Sequence, residues 1–272
     1  MDIKKIETLF NRSIRLSFSK KKILTVFPVL VLAGLMIVLC RALAVNASDW
    51  VVFSLTFLPI FLCFGVLLAT GAFLIKIYQA ELLGLPVSLL KIIKESWQLL
   101  IGVSYLALPM ILTYLLLWTT LGVFYLLREI PAVGPAFSVI FSFAPFLLVL
   151  GCLILSIFNA LLLFFVTPFV ALKQKFNLEA MSFAFSRIKE NVFTQIFLFV
   201  SAALPLLAVV ALLSLAAKLT GAAFLNSNEA LTIALEWFFI MVPFSAILTP
   251  VVIFFFNFSA ESYLLFERKK AL

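Results

Sequence analysis

Residues 23–43 read ILTVFPVLVLAGLMIVLCRAL, an apolar run in which Arg41 is the single charged side chain. A transmembrane helix needs about 20 apolar residues, because the hydrocarbon core is about 30 Å thick and a helix rises about 1.5 Å per residue. More runs of this kind follow in the 272-residue chain, which is 65% hydrophobic and 12% charged, with a mean hydropathy of +1.25. Such a chain lacks the polar surface of a soluble domain. The sequence therefore predicts an all-α, polytopic membrane protein.

Six spans are predicted within one integral membrane domain that covers residues 1–272, at residues 23–43, 50–75, 99–125, 136–172, 192–217 and 231–258. Residues 1–22 form a basic amphipathic segment before the first span, and residues 259–272 form a basic tail. The first span is longer than the apolar region of a signal peptide and has no small-residue cleavage site after it. The fourth run would extend about 55 Å as one helix. Residues 136–147 are therefore either a re-entrant or interfacial segment or part of a run that crosses twice.

The distribution of positive charge favours six crossings. With six spans, both chain ends and the second and fourth loops share one side of the membrane, and that side holds 17 of the 20 Lys and Arg residues. Cytoplasmic loops carry an excess of Lys and Arg. A second crossing in the fourth run would divide the basic loops between the two sides. The sequence predicts that both termini are cytoplasmic, in a bacterial inner membrane.

The layout repeats three times as an amphipathic segment followed by a hairpin of two spans. Each segment places apolar residues at helical spacing: Ile3, Ile6, Phe10 and Ile14 in the first; Leu89, Ile93, Trp97 and Leu100 in the second; Leu178, Met181, Phe185, Ile188 and Val192 in the third. A helix with an apolar stripe and basic flanks, too polar to span, lies in the headgroup plane. A helix that docks on a partner protein has the same pattern. We expect three interfacial helices.

Basic side chains on these segments are the candidate contacts to lipid headgroups or to a partner. They are Lys4, Lys5, Arg12, Arg15, Lys91, Lys94, Arg187 and Lys189. The cytoplasmic leaflet carries anionic lipid, and each nearby Lys or Arg gains about 1 kcal/mol there. The expected partners are anionic membrane lipids, with other membrane proteins or self-association as alternatives, and no nucleic acid. The glutamates among them, including Glu81 and Glu261, are interpreted as members of ordinary surface ion pairs.

Two amides form the candidate polar site inside the membrane. Asn159 and Asn257 fall within the fourth and sixth spans, and a buried amide requires hydrogen-bond partners. Interhelical hydrogen bonds of this kind contribute about 0.6 kcal/mol or somewhat more. The two amides either join helices or line a groove of lipid size.

The sequence offers no catalytic or metal site. It contains no His, its three cysteines all sit in apolar runs, and it has no zinc, nucleophile-elbow or phosphate-loop motif. We therefore expect no enzymatic activity, no metal and no cofactor.

Three stretches resemble a bacterial six-span inner-membrane family that includes YciC-like proteins and the membrane domain of glycerophosphodiester phosphodiesterases. They are LGLPVSLLKIIKESWQLL, NLEAMSFAFSRIKENVF and FNFSAESYLLFERKK. Matches to the family pattern are Glu179, Ala180, Ser186, Lys189 and Asn191, then Tyr263 with residues 268–270. The sequence departs from the family in having no phosphodiesterase domain and in its 32 phenylalanines. The resemblance implies placement in a bacterial inner membrane and carries no activity.

These observations favour a non-enzymatic inner-membrane protein that contacts lipid through basic interfacial helices, in an envelope or accessory role. The alternative is a small permease or lipid transporter with a neutral polar groove around Asn159 and Asn257.

Overall fold

The computed structural model describes residues 3–45, 47–84, 88–128, 130, 143–173, 192–221 and 230–270. This part of the chain is helical and contains no strand. Helix α1 and a short 3-10 turn precede the first long helix, and their bounds are Ile3–Arg15 and Leu16–Phe18. Helices α2 to α8 cover Lys20–Leu43, Asp49–Leu82, Leu89–Ser104, Ala107–Arg128, Ala144–Lys173, Val192–Gly221 and Ala230–Lys270.

Within these described ranges, six helical stretches are long and apolar enough to cross a membrane. Helices α4 and α5 together form one of them, Leu89–Phe124, and α2, α3, α6, α7 and α8 supply the other five. The predicted all-α, six-span fold is confirmed, and the chain is an integral membrane protein.

The second amphipathic segment is not separated from the span that follows it. Only Tyr105 and Leu106 lie between α4 and α5, and Lys91 and Lys94 are exposed near the start of α4. The junction packs closely on α3, where a Cβ added to Gly65 would lie 3.1 Å from both the Ala107 Cβ and the Ser104 carbonyl oxygen. Because Gly65 has no side chain, the junction between α4 and α5 can pack this closely on α3. Of the third amphipathic segment, residues 175–191 lie outside the described residues, and Val192 begins α7.

Helices at one end of the bundle extend past the predicted spans. Helix α3 continues to Leu82 and α8 to Lys270, beyond the predicted limits at residues 75 and 258. Both extensions carry glutamates that form ion pairs with neighbouring elements, so polar residues are accommodated within the bundle. Helix α6 begins at Ala144, with Pro145 in its first turn, where a proline is tolerated. Residues 144–147 are thus helical, and residues 136–142 lie outside the described part of the chain.

Helices α2 and α8 pack antiparallel along most of their length. The Nζ atom of Lys22 contacts Asn257 at one end, and the Arg41 guanidinium lies 5.8 Å from the Trp237 ring at the other. Between them the Ser245 hydroxyl donates to the Leu30 carbonyl at 3.4 Å. This pairing places the start of α2 beside the end of α8.

Phenylalanines from three helices form the centre of the bundle. The Phe164 ring of α6 lies 5.7 Å from the rings of both Phe199 on α7 and Phe255 on α8, in edge-to-face arrangements. Such pairs add about 0.5–1.5 kcal/mol beyond the burial of their area. Part of the large phenylalanine content is therefore explained by packing between spans.

A serine on α8 compensates for a proline in α6. Pro168 has no backbone N–H, so the carbonyl of Phe164, four residues earlier, lacks its usual helical partner. The hydroxyl of Ser259, which is fully buried, donates to that carbonyl at 2.5 Å. Neighbouring helices are expected to satisfy backbone groups freed by proline in a membrane.

Candidate functional site

A fully buried lysine lies at the end of the bundle where α2 begins and where α3, α6 and α8 end, which we call the basic end. Lys22 is 0% exposed, and its ammonium group is 2.6 Å from the Glu81 carboxylate on α3. It also donates to the Asn257 Oδ1 atom and to the Leu16 carbonyl, each at 3.2 Å. The ammonium group therefore forms one ion pair and two hydrogen bonds.

Asn257 connects this ion pair to the N-terminal segment. Its Nδ2 atom donates to the Ser13 carbonyl and to the Ser17 hydroxyl oxygen, each at 3.4 Å. The Ser17 hydroxyl in turn donates to the Ser13 carbonyl at 2.6 Å. Asn257 is 0% exposed. Through its hydrogen bonds with Ser13 and Lys22, the amide joins α8 to both α1 and α2. For Asn257, this geometry agrees with the interpretation that it joins helices.

A second ion pair fixes the middle of α1. The Arg12 Nε atom lies 2.9 Å from Glu261 Oε1 on α8, and Tyr78 on α3 donates its hydroxyl to the same carboxylate oxygen. The Glu261 side chain is 5% exposed, whereas that of Arg12 is 44% exposed. The Lys22 ammonium also lies 4.8 Å from the centre of the Tyr78 ring. We call the resulting cluster of Arg12, Ser13, Ser17, Lys22, Tyr78, Glu81, Asn257 and Glu261 the ionic network.

The interpretation of Glu81 and Glu261 as ordinary surface ion pairs was wrong. Exposed pairs contribute little because water screens them. Here the partner of Glu81 is completely buried, and Glu261 is itself buried. Removing one member of a buried pair costs about 3–5 kcal/mol, because the other charge is left without compensation. The ionic network therefore fixes the positions of α1, α2, α3 and α8 relative to one another.

A further ion pair lies beside the network. The Lys173 ammonium at the end of α6 is 2.8 Å from Glu267 Oε1 on α8, and the Tyr263 hydroxyl donates to that oxygen at 2.8 Å. The side chains of Lys173 and Glu267 are 42% and 38% exposed. This pair connects α6 to α8 at the rim of the basic end.

The apolar side of α1 lies against the bundle and leaves a groove. The Phe10 ring is 5.0 Å from that of Phe254 and 6.1 Å from that of Phe258 on α8. Two cavities of about 350 Å³ and 200 Å³ flank α1, and Phe10 and Pro205 line both. We call them together the α1 groove; its walls also include Ile6, Phe197, Leu204 and Pro250.

The candidate headgroup contacts fall into three groups. Arg12 belongs to the ionic network, whereas Arg15, Lys91 and Lys94 are exposed on α1 and α4. Lys91 forms an exposed pair with Glu95 at 3.8 Å. Lys4 and Lys5 lie on α1 with side chains that are not described, and Arg187 and Lys189 lie outside the described residues. The exposed residues Arg15, Lys91 and Lys94 therefore lie on two helices, α1 and α4, at the basic end.

The two candidate amides have different environments. Asn257 is part of the ionic network, whereas Asn159 lies at the middle of α6 and is 4% exposed. Neither polar atom of the Asn159 amide has a hydrogen-bond partner within the described part of the chain. An amide buried in this way is costly. No hydrogen bond between the two amides is present in the described part of the chain, and the shared polar site stays a prediction.

Sequence reasoning missed Lys22 and Tyr78, and it placed the ion pairs of Glu81 and Glu261 at the surface. A signal was present, because Asn257 and Glu261 are four residues apart on one face of α8, as are Ser13 and Ser17 on the N-terminal segment. Polar residues at this spacing in an apolar helix indicate a buried polar face. Lys22 carried no such signal, because it ends a run of three lysines.

Within the described ranges, no group of three or more His, Cys, Asp or Glu side chains is arranged to hold a metal ion. Comparison of the chain with protein-family models, with curated proteins and with solved structures finds no match.

Proposed function

We propose that the chain is a non-enzymatic protein of a bacterial cytoplasmic membrane whose basic end faces the cytoplasm and binds anionic lipid, in an accessory role in the envelope. Both termini are then cytoplasmic. The resemblance of the amphipathic segments to the YciC-like family supports the bacterial membrane. The excess of Lys and Arg at the basic end supports the orientation.

The observation that carries this proposal is the placement of α1. Its apolar side chains pack on the core, and Arg12 and the two serines attach it to α8. Arg15 is exposed on the same helix, and Lys91 and Lys94 are exposed on α4, which follows the end of α3 at the same end of the bundle. Cations held in this way at a membrane surface attract anionic headgroups.

The test compares lipid selectivity after charge neutralisation. The purified protein is equilibrated with equal amounts of phosphatidylglycerol and phosphatidylcholine, and bound lipids are counted by native mass spectrometry. We expect a preference for phosphatidylglycerol that falls by about tenfold or more when Arg15→Gln, Lys91→Gln and Lys94→Gln are combined, because each cation contributes about 1 kcal/mol.

The matched control is Arg41→Gln combined with Lys218→Gln, two exposed cations at the opposite end of the bundle. It should leave the preference unchanged. Unchanged selectivity in the triple variant would contradict the proposal. Loss of a co-purifying protein instead of lipid would assign the cations to a protein partner.

A second candidate, a small permease or lipid transporter, is favoured by Asn159. This buried amide lacks a partner in the described structure at the middle of a span, where a polar group marks a functional position. The test is reconstitution into vesicles with fluorescent phosphatidylglycerol, whose transfer between leaflets is followed by chemical quenching. Transport predicts activity that Asn159→Leu removes without unfolding the protein. A wild-type protein that moves no lipid would reject this candidate for that substrate.

A further inference from the structure

The α1 groove is an apolar channel of about one leaflet's depth. Phe197 and Pro205 line it eight residues apart on α7, which corresponds to about 12 Å along the helix axis. Half of the hydrocarbon core is about 15 Å thick. The groove therefore begins near the basic end and continues toward the middle of the membrane.

The lining of the groove disfavours water as its occupant. The Ser201 hydroxyl donates to the Phe197 carbonyl at 2.8 Å, and the Ser17 hydroxyl donates to the Ser13 carbonyl at 2.6 Å. These polar atoms already have partners within their own segments. Apart from the Glu7 carboxylate at one end, the lining of the groove is apolar, and an apolar cavity does not hold ordered water. An apolar chain from the surrounding membrane would fill it.

Positive charge lies along the helix that forms one wall. Arg15 is exposed and follows the lining residue Ile14, and Arg12 is 44% exposed although it pairs with Glu261. Lys20, the first residue of α2, is exposed two residues beyond the lining residue Phe18. Glu7 lines one end of the larger cavity and is exposed to solvent. The cations provide charge complementarity to an anionic headgroup whose chain enters the groove.

We propose that the α1 groove binds one acyl chain of an anionic membrane lipid, with the lipid headgroup beside the cations of α1. This inference rests on the proposed function and names the place where the lipid is held. The ionic network holds α1 against α8, so it maintains the wall of this binding site.

The test uses phosphatidylglycerol that carries a photoactivatable diazirine within one acyl chain. The full-length protein is reconstituted into vesicles of three parts phosphatidylcholine to one part phosphatidylglycerol that contain a trace of this probe. After irradiation, labelled peptides are mapped by mass spectrometry. We expect labelling concentrated on α1 around Ile6 and Phe10 and on α7 around Leu204, several-fold above the lipid-facing surface of α5 around Leu112 and Leu116.

A variant that fills the groove provides the second measurement. Ser201→Phe places a ring in the larger cavity, and its matched control is Thr113→Phe on α5. Both hydroxyls donate to the carbonyl four residues earlier in their own helix, but Thr113 is exposed to the membrane. The groove variant should reduce labelling of α1 and α7 at least fivefold, and the control should leave it unchanged.

The outcomes separate failure of the chain-binding groove from failure of the proposed preference for anionic lipid. Labelling spread equally over all lipid-facing helices overturns the groove, and this measurement on the unaltered protein decides the question even if Ser201→Phe does not fold. Retained groove labelling in a folded Ser201→Phe variant overturns it as well. Equal labelling of the groove by a phosphatidylcholine probe keeps the chain-binding site but overturns the preference for anionic lipid.

Discussion

Lys22 and Glu81 form an ion pair of 2.6 Å between the start of α2 and the end of α3, and Lys22 is completely buried. The pair joins the two ends of the first hairpin. Because Asn257 also accepts from Lys22, the last helix is attached at the same point. The basic end is thus organised around one ammonium group.

Replacement of this lysine should be strongly destabilising. Lys22→Met leaves the Glu81 carboxylate without its partner, and the free energy of unfolding should fall by about 3–5 kcal/mol. The measurement is unfolding in mixed detergent micelles, followed by circular dichroism. Lys91→Met, which breaks an exposed pair, is the control and should change stability by less than about 1 kcal/mol. Equal effects of the two substitutions would contradict the role of the network.

Loss of the second ion pair should loosen α1 without unfolding the bundle. Arg12→Gln leaves Glu261 with Tyr78 but removes the cation that connects α1 to α8. We expect backbone amides of α1 to exchange with deuterium several-fold faster, while those of α2 and α8 stay protected. Arg15→Gln on the same helix serves as the control. Unchanged deuterium exchange in α1 would show that its apolar contacts hold it on α8 without the Arg12–Glu261 ion pair.

The serine that supports Pro168 provides a test of the packing between α6 and α8. Ser259→Ala leaves the Phe164 carbonyl without a partner and should cost about 1–3 kcal/mol. Ser156→Ala is the matched control, because the Ser156 hydroxyl bonds to a carbonyl of its own helix that keeps its backbone partner. Thermal unfolding in detergent compares the two variants. A smaller effect for Ser259→Ala than for its control would be inconsistent with this role.

Close approach of α3 and α8 depends on a glycine. A Cβ on Gly71 would overlap the ring of Phe256, so Gly71→Ala should destabilise by about 1–3 kcal/mol even though alanine favours a helix. Phe256→Leu in the same chain should recover part of the loss. The two single variants and the double variant form a thermodynamic cycle. Additive changes in the free energy of unfolding would mean that positions 71 and 256 do not contact each other.

The sequence predicted the spans well because their signal is local. A run of about 20 apolar residues specifies a crossing whatever its neighbours are. Helix ends were less predictable, since α3 and α8 continue through Glu81 and Glu261, whose charges are compensated by residues distant in the chain. Such compensation is a property of the assembled bundle.

The candidate site was predictable only in part. Asn257 was identified because an amide in an apolar run requires partners, but its partners, Lys22, Ser13 and Ser17, were not predicted. Three consecutive lysines, residues 20–22, look alike in sequence, and only the rotation of α2 against α8 selects the one that turns inward. The α1 groove also depends on contacts between elements far apart in the chain, so no local pattern indicated it.

The side of the membrane on which the basic end lies tests the proposed threading and lipid contact most directly. Single cysteines at Glu7, Lys91 and Ser48, introduced into a variant without the three native cysteines, are labelled with a membrane-impermeant maleimide in vesicles of known orientation. We expect positions 7 and 91 to react from the cytoplasmic side and position 48 to react from the opposite side. Reaction of positions 7 and 91 from opposite sides would contradict the threading, and reaction of both from outside would contradict the proposed contact with the cytoplasmic leaflet.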